Sequence, residues 1–274
     1  MKRIIWITLI LMLGLSFQSF SQGDLLIAPT RVVFEGNKQK EELNLVNMGK
    51  DTAIYSISFV QYKMKEDGSY VIISKPDSGQ RFAEPYLRIF PRKVTLAPGE
   101  PQVIMLQCRR KTDMLPGEYR AYLYFRSEKN YMPLGTKISD TTKLTIQLIP
   151  VYGVCIPVII RSGAGNVSVV LSGLKLGTLQ DTIPTLNLTI KRTGNISVFG
   201  DITIEYIPVQ GKAYEIGKVS GVKVYTDIDK LNVSIKLNKT PGLTFKNGKL
   251  IVRYTSPEET KYVVYSEGQL DLRQ

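Results

Sequence analysis

A period of two is the feature that most narrows what this chain can fold into. Apolar residues return at every second position in short runs, and each run is closed by a Gly, Pro, Asn or Asp. Successive side chains of a strand point to opposite faces, so this period builds half-buried strands, whereas a helix needs spacings of three and four. Leu43 and Leu45 alternate with polar neighbours and stop at Asn47-Met48-Gly49. Tyr55, Ile57, Phe59 and Gln61 share one face, with Ile54, Val60 and Tyr62 on the other. Asp67-Gly68, between Tyr62 and Tyr70, is a hairpin signal. Val94 and Leu96 lead into Ala97-Pro98-Gly99-Glu100, a turn that restarts as Val103 to Cys108. Leu115-Pro116-Gly117 then turns the chain into Tyr119, Ala121, Leu123 and Phe125. About seven such strands before residue 160 predict an immunoglobulin-like sandwich. Tyr119 is either an ordinary core tyrosine or a tyrosine corner, whose hydroxyl ties the strand to upstream backbone.

Ser162-Gly163-Ala164-Gly165 is small and flexible and follows a run ending in Ile159-Ile160-Arg161, which marks a domain boundary. Beyond it the alternation resumes at Val167, Val169 and Leu171, at Leu186, Leu188 and Ile190, and at Ile202, Ile204 and Tyr206. It continues at Val233, Ile235 and Leu237 and at Leu250, Val252 and Tyr254. The expected organisation is therefore all-β, with a first domain over 22–161 and a second β-sandwich over 162–274.

The first 21 residues follow other rules. Met1-Lys2-Arg3 is basic, Ile4 to Leu15 is almost unbroken apolar sequence, and Ser16 to Ser21 is small and polar. This is the pattern of a cleavable signal peptide over 1–21, with the cut before Gln22. The apolar run is too short to span a bilayer comfortably and no later run approaches that length, so a soluble periplasmic protein without stable membrane insertion is expected. A formal charge of +12 invites a nucleic-acid reading. The lysines and arginines are scattered along alternating strands, however, and the longest basic run is Arg109-Arg110-Lys111. Export and scatter together argue against nucleic acid and for solubility with a bias toward acidic protein partners. Cys108 and Cys155 are far too few for a disulfide-stapled scaffold and are expected to be free, buried thiols, although the compartment would let them pair.

Catalytic chemistry finds little footing. The chain has no histidine, which removes the commonest general base and metal ligand. No Cys-x-x-Cys pair, Gly-x-Ser-x-Gly elbow, P-loop or dinucleotide fingerprint is present. Glu41-Glu42 and Glu258-Glu259 read as solvated turns. The chain is thus expected to be a binding protein and not an enzyme, with no metal and no cofactor. One segment suggests how it binds: Lys143 to Ile149 places Leu144, Ile146 and Leu148 on one face with polar residues between them. By spacing alone this is a strand burying a face in its own core. At an exposed edge, the same strand would lend its backbone hydrogen bonds and its apolar row to another chain.

Three stretches carry a family likeness. Ala28-Pro29-Thr30-Arg31-Val32-Val33-Phe34-Glu35-Gly36, followed by a strand closing at Asn47-Met48-Gly49, resembles the first strands of the PapD-like periplasmic chaperones of the chaperone–usher type. Phe90-Pro91-Arg92-Lys93-Val94-Thr95-Leu96-Ala97-Pro98-Gly99-Glu100 resembles a later strand and turn, and Leu115-Pro116-Gly117-Glu118-Tyr119-Arg120 the strand after that. The resemblance covers about residues 25 to 161. It implies two immunoglobulin-like β-sandwich domains in an L-shaped, boomerang arrangement with a cleft between them. In that family the last strand of the first domain completes an unfinished pilin subunit, and the subunit is then handed to an outer-membrane usher. The donor strand would fall near 143–156, with Leu144, Ile146 and Leu148 as the donated row, and pilus or fimbrial subunits would be the partners. Such a strand would also allow a dimer in which two copies cap each other's edges, which the sequence leaves open. Arg31 matches the family's arginine for the subunit's C-terminal carboxylate. The accompanying lysine is missing: strand phase, or counting back from Pro157, puts Gly153 or Tyr152 at its place. Lys143 and Tyr152 are the auxiliary candidates; the alternatives are Arg31 acting alone, or a protein that does not hold a C-terminus in this way. A secreted immunoglobulin-like adhesion module is the competing reading of the whole chain.

Overall fold

A computed structural model of the chain describes residues 25–128, 152–180, 183–238, 247–258 and 260–272. In chain order its strands are β1 (Leu25–Ala28), β2 (Val32–Phe34), β3 (Lys40–Asn47), β4 (Ala53–Val60), β5 (Tyr62–Met64) and β6 (Tyr70–Ile72). Next come β7 (Leu87–Phe90), β8 (Lys93–Leu96), β9 (Pro101–Cys108), β10 (Gly117–Glu128) and β11 (Gly153–Ser162). The remainder are β12 (Val167–Leu179), β13 (Ile183–Gly194), β14 (Val198–Ile207), β15 (Tyr214–Val224), β16 (Lys230–Lys236), β17 (Gly248–Thr255) and β18 (Val264–Leu272). Among the described residues the only helical element is a single 3-10 turn, Glu84–Tyr86. The chain is all-β, as its period of two requires.

The first sandwich packs the sheet β1-β3-β9-β7 against the sheet β2-β11-β10-β4-β8. Leu43 and Leu45 on β3 and Ile104 and Leu106 on β9 project inward from one sheet. Tyr55 and Ile57 on β4 and Ala121, Leu123 and Phe125 on β10 meet them from the other. Each such Leu or Ile contributes on the order of 1.5–3 kcal/mol of burial. Asn47 explains the turn that ends β3. Its buried amide donates to the carbonyls of Asp51 at 2.8 Å and Leu96 at 2.9 Å, while its Oδ1 accepts the Gly49 amide. Of the two readings of Tyr119, the structure has the tyrosine corner: the hydroxyl accepts the Leu115 amide at 3.0 Å and donates to the Leu115 carbonyl at 3.4 Å. Glu41 and Glu42 do not form a turn. They lie on β3, where Glu41 pairs with Lys38, because the strand begins earlier than its apolar residues do.

In the second sandwich the sheet β12-β13-β16 faces the sheet β15-β14-β17-β18. Leu186, Leu188, Ile190, Ile202, Ile204, Ile235, Leu250, Val252 and Tyr254 fill the space between them. Met64, Tyr122 and Ile159 join this second core although their strands belong to the first half of the chain. This is why β10 is buried on both faces from Gly117 to Leu123, and β11 from Val158 to Ile160. Between β11 and β12, Gly163 takes φ +60 with its Cα lying against Pro116, a backbone conformation and a spacing that both disfavour a side chain.

The hairpin β5–β6 forms where Asp67-Gly68 predicts it. Gly68 sits at φ +82 and its amide donates to the Lys65 carbonyl, while the Asp67 carboxylate accepts the Ser69 amide and hydroxyl. The hairpin does not lie on its own sandwich alone. Its Glu66 carbonyl accepts the Asn232 amide at 2.7 Å, Lys230 pairs with Glu66 at 3.2 Å, and Leu231 packs over Gly68. It therefore straps the second sandwich to the first.

Candidate functional site at the junction of the sandwiches

The junction holds the buried charges. Arg120, central on β10, pairs with Asp227, just past β15, at 2.7 Å, and the two side chains are 2% and 0% exposed. The same Asp227 oxygen accepts the Met64 amide at 2.7 Å, and the Arg120 guanidinium lies 3.8 Å over the Tyr225 ring. A pair buried this deeply offsets its desolvation only through close geometry and added partners: the Met64 amide donates to Asp227 and the Tyr225 ring face receives the Arg120 cation. Two strand positions along β10, buried Glu118 accepts the Ser197 amide at 2.9 Å and the Ser197 hydroxyl at 2.5 Å. Arg161 joins them, reaching the Ser197 carbonyl at 3.2 Å and Glu35 at 3.2 Å.

Arg31 sits in the bend directly before β2 and extends out of the first sandwich. Its guanidinium stacks 4.5 Å over the ring of Phe199 on β14. Burial lowers its pKa, with Tyr225 and Glu118 opposing the shift, but an arginine so perturbed remains charged at neutral pH. Its Nη1 is buried and has no hydrogen-bond partner among the described residues. Phe199 pairs in register with Lys223 on β15, which makes Lys223 the cross-strand neighbour of the residue that Arg31 stacks on. Burial first and the Arg31 charge second lower the pKa of the Lys223 ammonium. The Arg31 charge thus lies close enough to unsettle the Lys223 ammonium.

Beside Lys223 opens a cavity of about 350 Å³ lined by Tyr62, Tyr70, Tyr122, Cys155, Pro157, Lys223 and Tyr225. The rings meet edge to face, with Tyr62 and Tyr122 5.1 Å apart, Tyr70 and Tyr122 6.1 Å apart and Tyr122 and Tyr225 6.4 Å apart. Burial pushes the phenols up: Tyr62 to about 12, helped by its contact with Cys155, and Tyr70 and Tyr122 as well. The buried Tyr122 and Tyr225 hydroxyls lie near enough to influence one another yet make no well-formed hydrogen bond. Cys155 lies 3.7 Å from the Tyr62 hydroxyl, and burial raises its pKa, so it stays a thiol and not a nucleophilic thiolate. Cys108 is buried in the first core, and both cysteines are free. Apolar walls beside paired cations suit the binding of an anion attached to an apolar body.

Of the residues singled out in the sequence, Arg31 reaches this junction and Tyr152 does not. Tyr152 is exposed ahead of β11, where its carbonyl accepts the Ser127 amide at 2.9 Å. Gly153, the alternative position, lies tight against the Tyr124 ring. Lys143, Leu144, Ile146 and Leu148 lie outside the described residues. The described end of the expected donor strand, from Gly153 onward, belongs to β11 and pairs with β10 from Arg126↔Gly153 to Gly117↔Ser162. On its other side β11 pairs with β2 only at Val158, Ile159 and Ile160. Lys223, Tyr70, Tyr225, Arg120 and Asp227 were not singled out. Each sits on an ordinary alternating strand or turn, and only the fold brings them within reach of Arg31.

No family model and no curated protein matches the chain. Several solved structures do. The YadV chaperone is 14% identical, with a TM-score of 0.44 over 91% of this chain and 100% of that one. The chaperone–tip adhesion subunit pre-assembly complex CsuC–CsuE, from the archaic chaperone-usher Csu pili of Acinetobacter baumannii, is 13% identical, with a TM-score of 0.44 over 89% and 99%. The Salmonella enterica SafA pilin in complex with the SafB chaperone gives 12% identity and a TM-score of 0.40 over 92% and 98%. The chain is similar to pilus chaperones. All three likenesses are distant.

Proposed function

We propose that this chain is an ATP-independent periplasmic chaperone for pilus or fimbria-like subunits. Residues 1–21 direct export, and the domains 22–161 and 162–274 form the working protein. The segment 143–156 donates an edge strand to a subunit that lacks one, and the subunit then passes to an outer-membrane usher. The observation that carries this reading is the one-sided pairing of β11. Because β2 reaches only Val158 to Ile160, Gly153 to Pro157 has no strand on that side among the described residues. The apolar row Leu144, Ile146 and Leu148 leads directly into that edge. An incomplete pilin exposes a groove of apolar surface and unpaired backbone groups, and such a groove takes up an added strand. Arg31, charged and with an unspent donor, is placed to hold the subunit's C-terminal carboxylate through its guanidinium fork.

The test is suppression of aggregation. A pilin-type sandwich lacking its final strand is refolded beside the purified protein and followed by light scattering. Near-equimolar protein should hold the scattering down, and Ile146→Arg should abolish protection while leaving the far-ultraviolet circular dichroism unchanged. Protection that survives Ile146→Arg would remove the donor strand from the account.

A further inference from the structure

We propose that Lys223 is the second cation of the carboxylate anchor, and that the tyrosine cavity beside it receives the aromatic side chain of the partner's last residue. The proposal rests on the chaperone reading for its partner, a polypeptide C-terminus, and on the junction's own geometry for its site. Among the described residues the first half of the chain offers no lysine at the family's position, where Tyr152 is exposed ahead of β11 and Gly153 is packed against Tyr124. The second sandwich offers one instead. Lys223 is the cross-strand neighbour of Phe199, on which Arg31 stacks, and among the described residues neither of its interactions is with a carboxylate. Glu118, the nearest acid to influence Arg31, is already committed to the Ser197 amide and hydroxyl. A half-buried ammonium beside a second cation lacks an anion, and a carboxylate supplies one that accepts from both groups.

The cavity identifies what that carboxylate is attached to. Lys223 forms part of its wall, so a carboxylate on Lys223 would place its own residue against Tyr70, Tyr122 and Tyr225. The volume of about 350 Å³ is at the lower end of ligand pockets, fitting a side chain and its terminus and not a folded segment. Rings already arranged edge to face offer an incoming aromatic ring the geometry it prefers. Cys155 and Pro157 complete the wall and lie on the part of β11 that β2 leaves unpaired. A chain pairing along that edge therefore runs past the mouth of the cavity.

The probe is acetyl-Ala-Ala-Tyr with a free carboxylate, titrated into the isotope-labelled full chain and followed by amide and lysine side-chain resonances. Saturable shifts are expected at Lys223, Tyr225 and Tyr70. The carboxamide of the same peptide should bind about tenfold more weakly, having lost charge-assisted bonds. Acetyl-Ala-Ala-Gly should lose about as much, having no ring to bury. These ligand exchanges leave the protein untouched, and Lys223→Met should repeat the carboxamide result. Ile146→Arg should bind the tripeptide as the parent does, so failure of strand donation and failure of this site give different results. No saturable shift, equal binding of the carboxamide, or loss of binding with Ile146→Arg would overturn the proposal.

Discussion

At the residue scale the decisive groups are charges that the fold buries in pairs. Arg120 and Asp227 are fully enclosed, and removing one partner leaves the other's charge without compensation. Asp227→Ala should therefore cost about 3–5 kcal/mol in denaturant unfolding, the range for breaking a buried ion pair. A loss below 1 kcal/mol would mean that the pair is solvated. Arg31 was legible in the sequence because its neighbours Ala28-Pro29-Thr30 and Val32-Val33-Phe34 carry a recognisable context. Lys223 was not, since a lysine in Gly-Val-Lys-Val reads as a solvated strand position. What distinguishes it is Phe199 on the next strand and Arg31 across the junction, neither of which has any fixed sequence distance from it. Cys108 and Cys155 were expected to be free, buried thiols; both are free, since they face different cores, but only Cys108 is buried and Cys155 is partly exposed at the cavity wall.

Among the elements, strands that bury one face were the easiest to read. Leu43 and Leu45, Leu186 to Ile190 and Leu250 to Tyr254 all face inward as their alternation predicts. Strand β18 was passed over. It is an edge strand whose burial alternates, but its inward positions include Ser266 and Gly268 and so give little apolar signal, while the exposed polar residues Glu267, Gln269 and Asp271 keep such edges from pairing with other chains. The hairpin β5–β6 was legible as a turn but not as a strap, because its anchors in the second core are two side chains of β5, Met64 and the partly buried Tyr62, in a run too short to show a pattern. Its shape depends on Gly68, held at φ +82 under Leu231. Gly68→Val should cost about 1–3 kcal/mol through backbone strain alone. It should also speed hydrogen exchange at Met64 and Asn232, whose amides bond across the junction to Asp227 and Glu66. Unchanged exchange at both amides would show that the hairpin does not strap the sandwiches together.

At the scale of the whole molecule, two sandwiches share a wall. β10 and β11 face the first core with Ala121, Leu123, Ile156 and Val158 and the second with Tyr122 and Ile159. The strand that carries the junction's arginine thus runs antiparallel to the strand whose unpaired edge is proposed to receive a partner. On the proposed function, pairing along β11 and anchoring at Arg31 would be two contacts of one bound chain. The central claim is that this arrangement holds an incomplete β-sandwich subunit. Native mass spectrometry of the tagged protein, purified gently from the periplasm of its own organism while pili are being made, tests it most directly. The account predicts a one-to-one complex with a small β-rich polypeptide, absent with Ile146→Arg and weakened with Arg31→Ala. A bare monomer under those conditions would contradict it and favour a secreted immunoglobulin-like adhesion module.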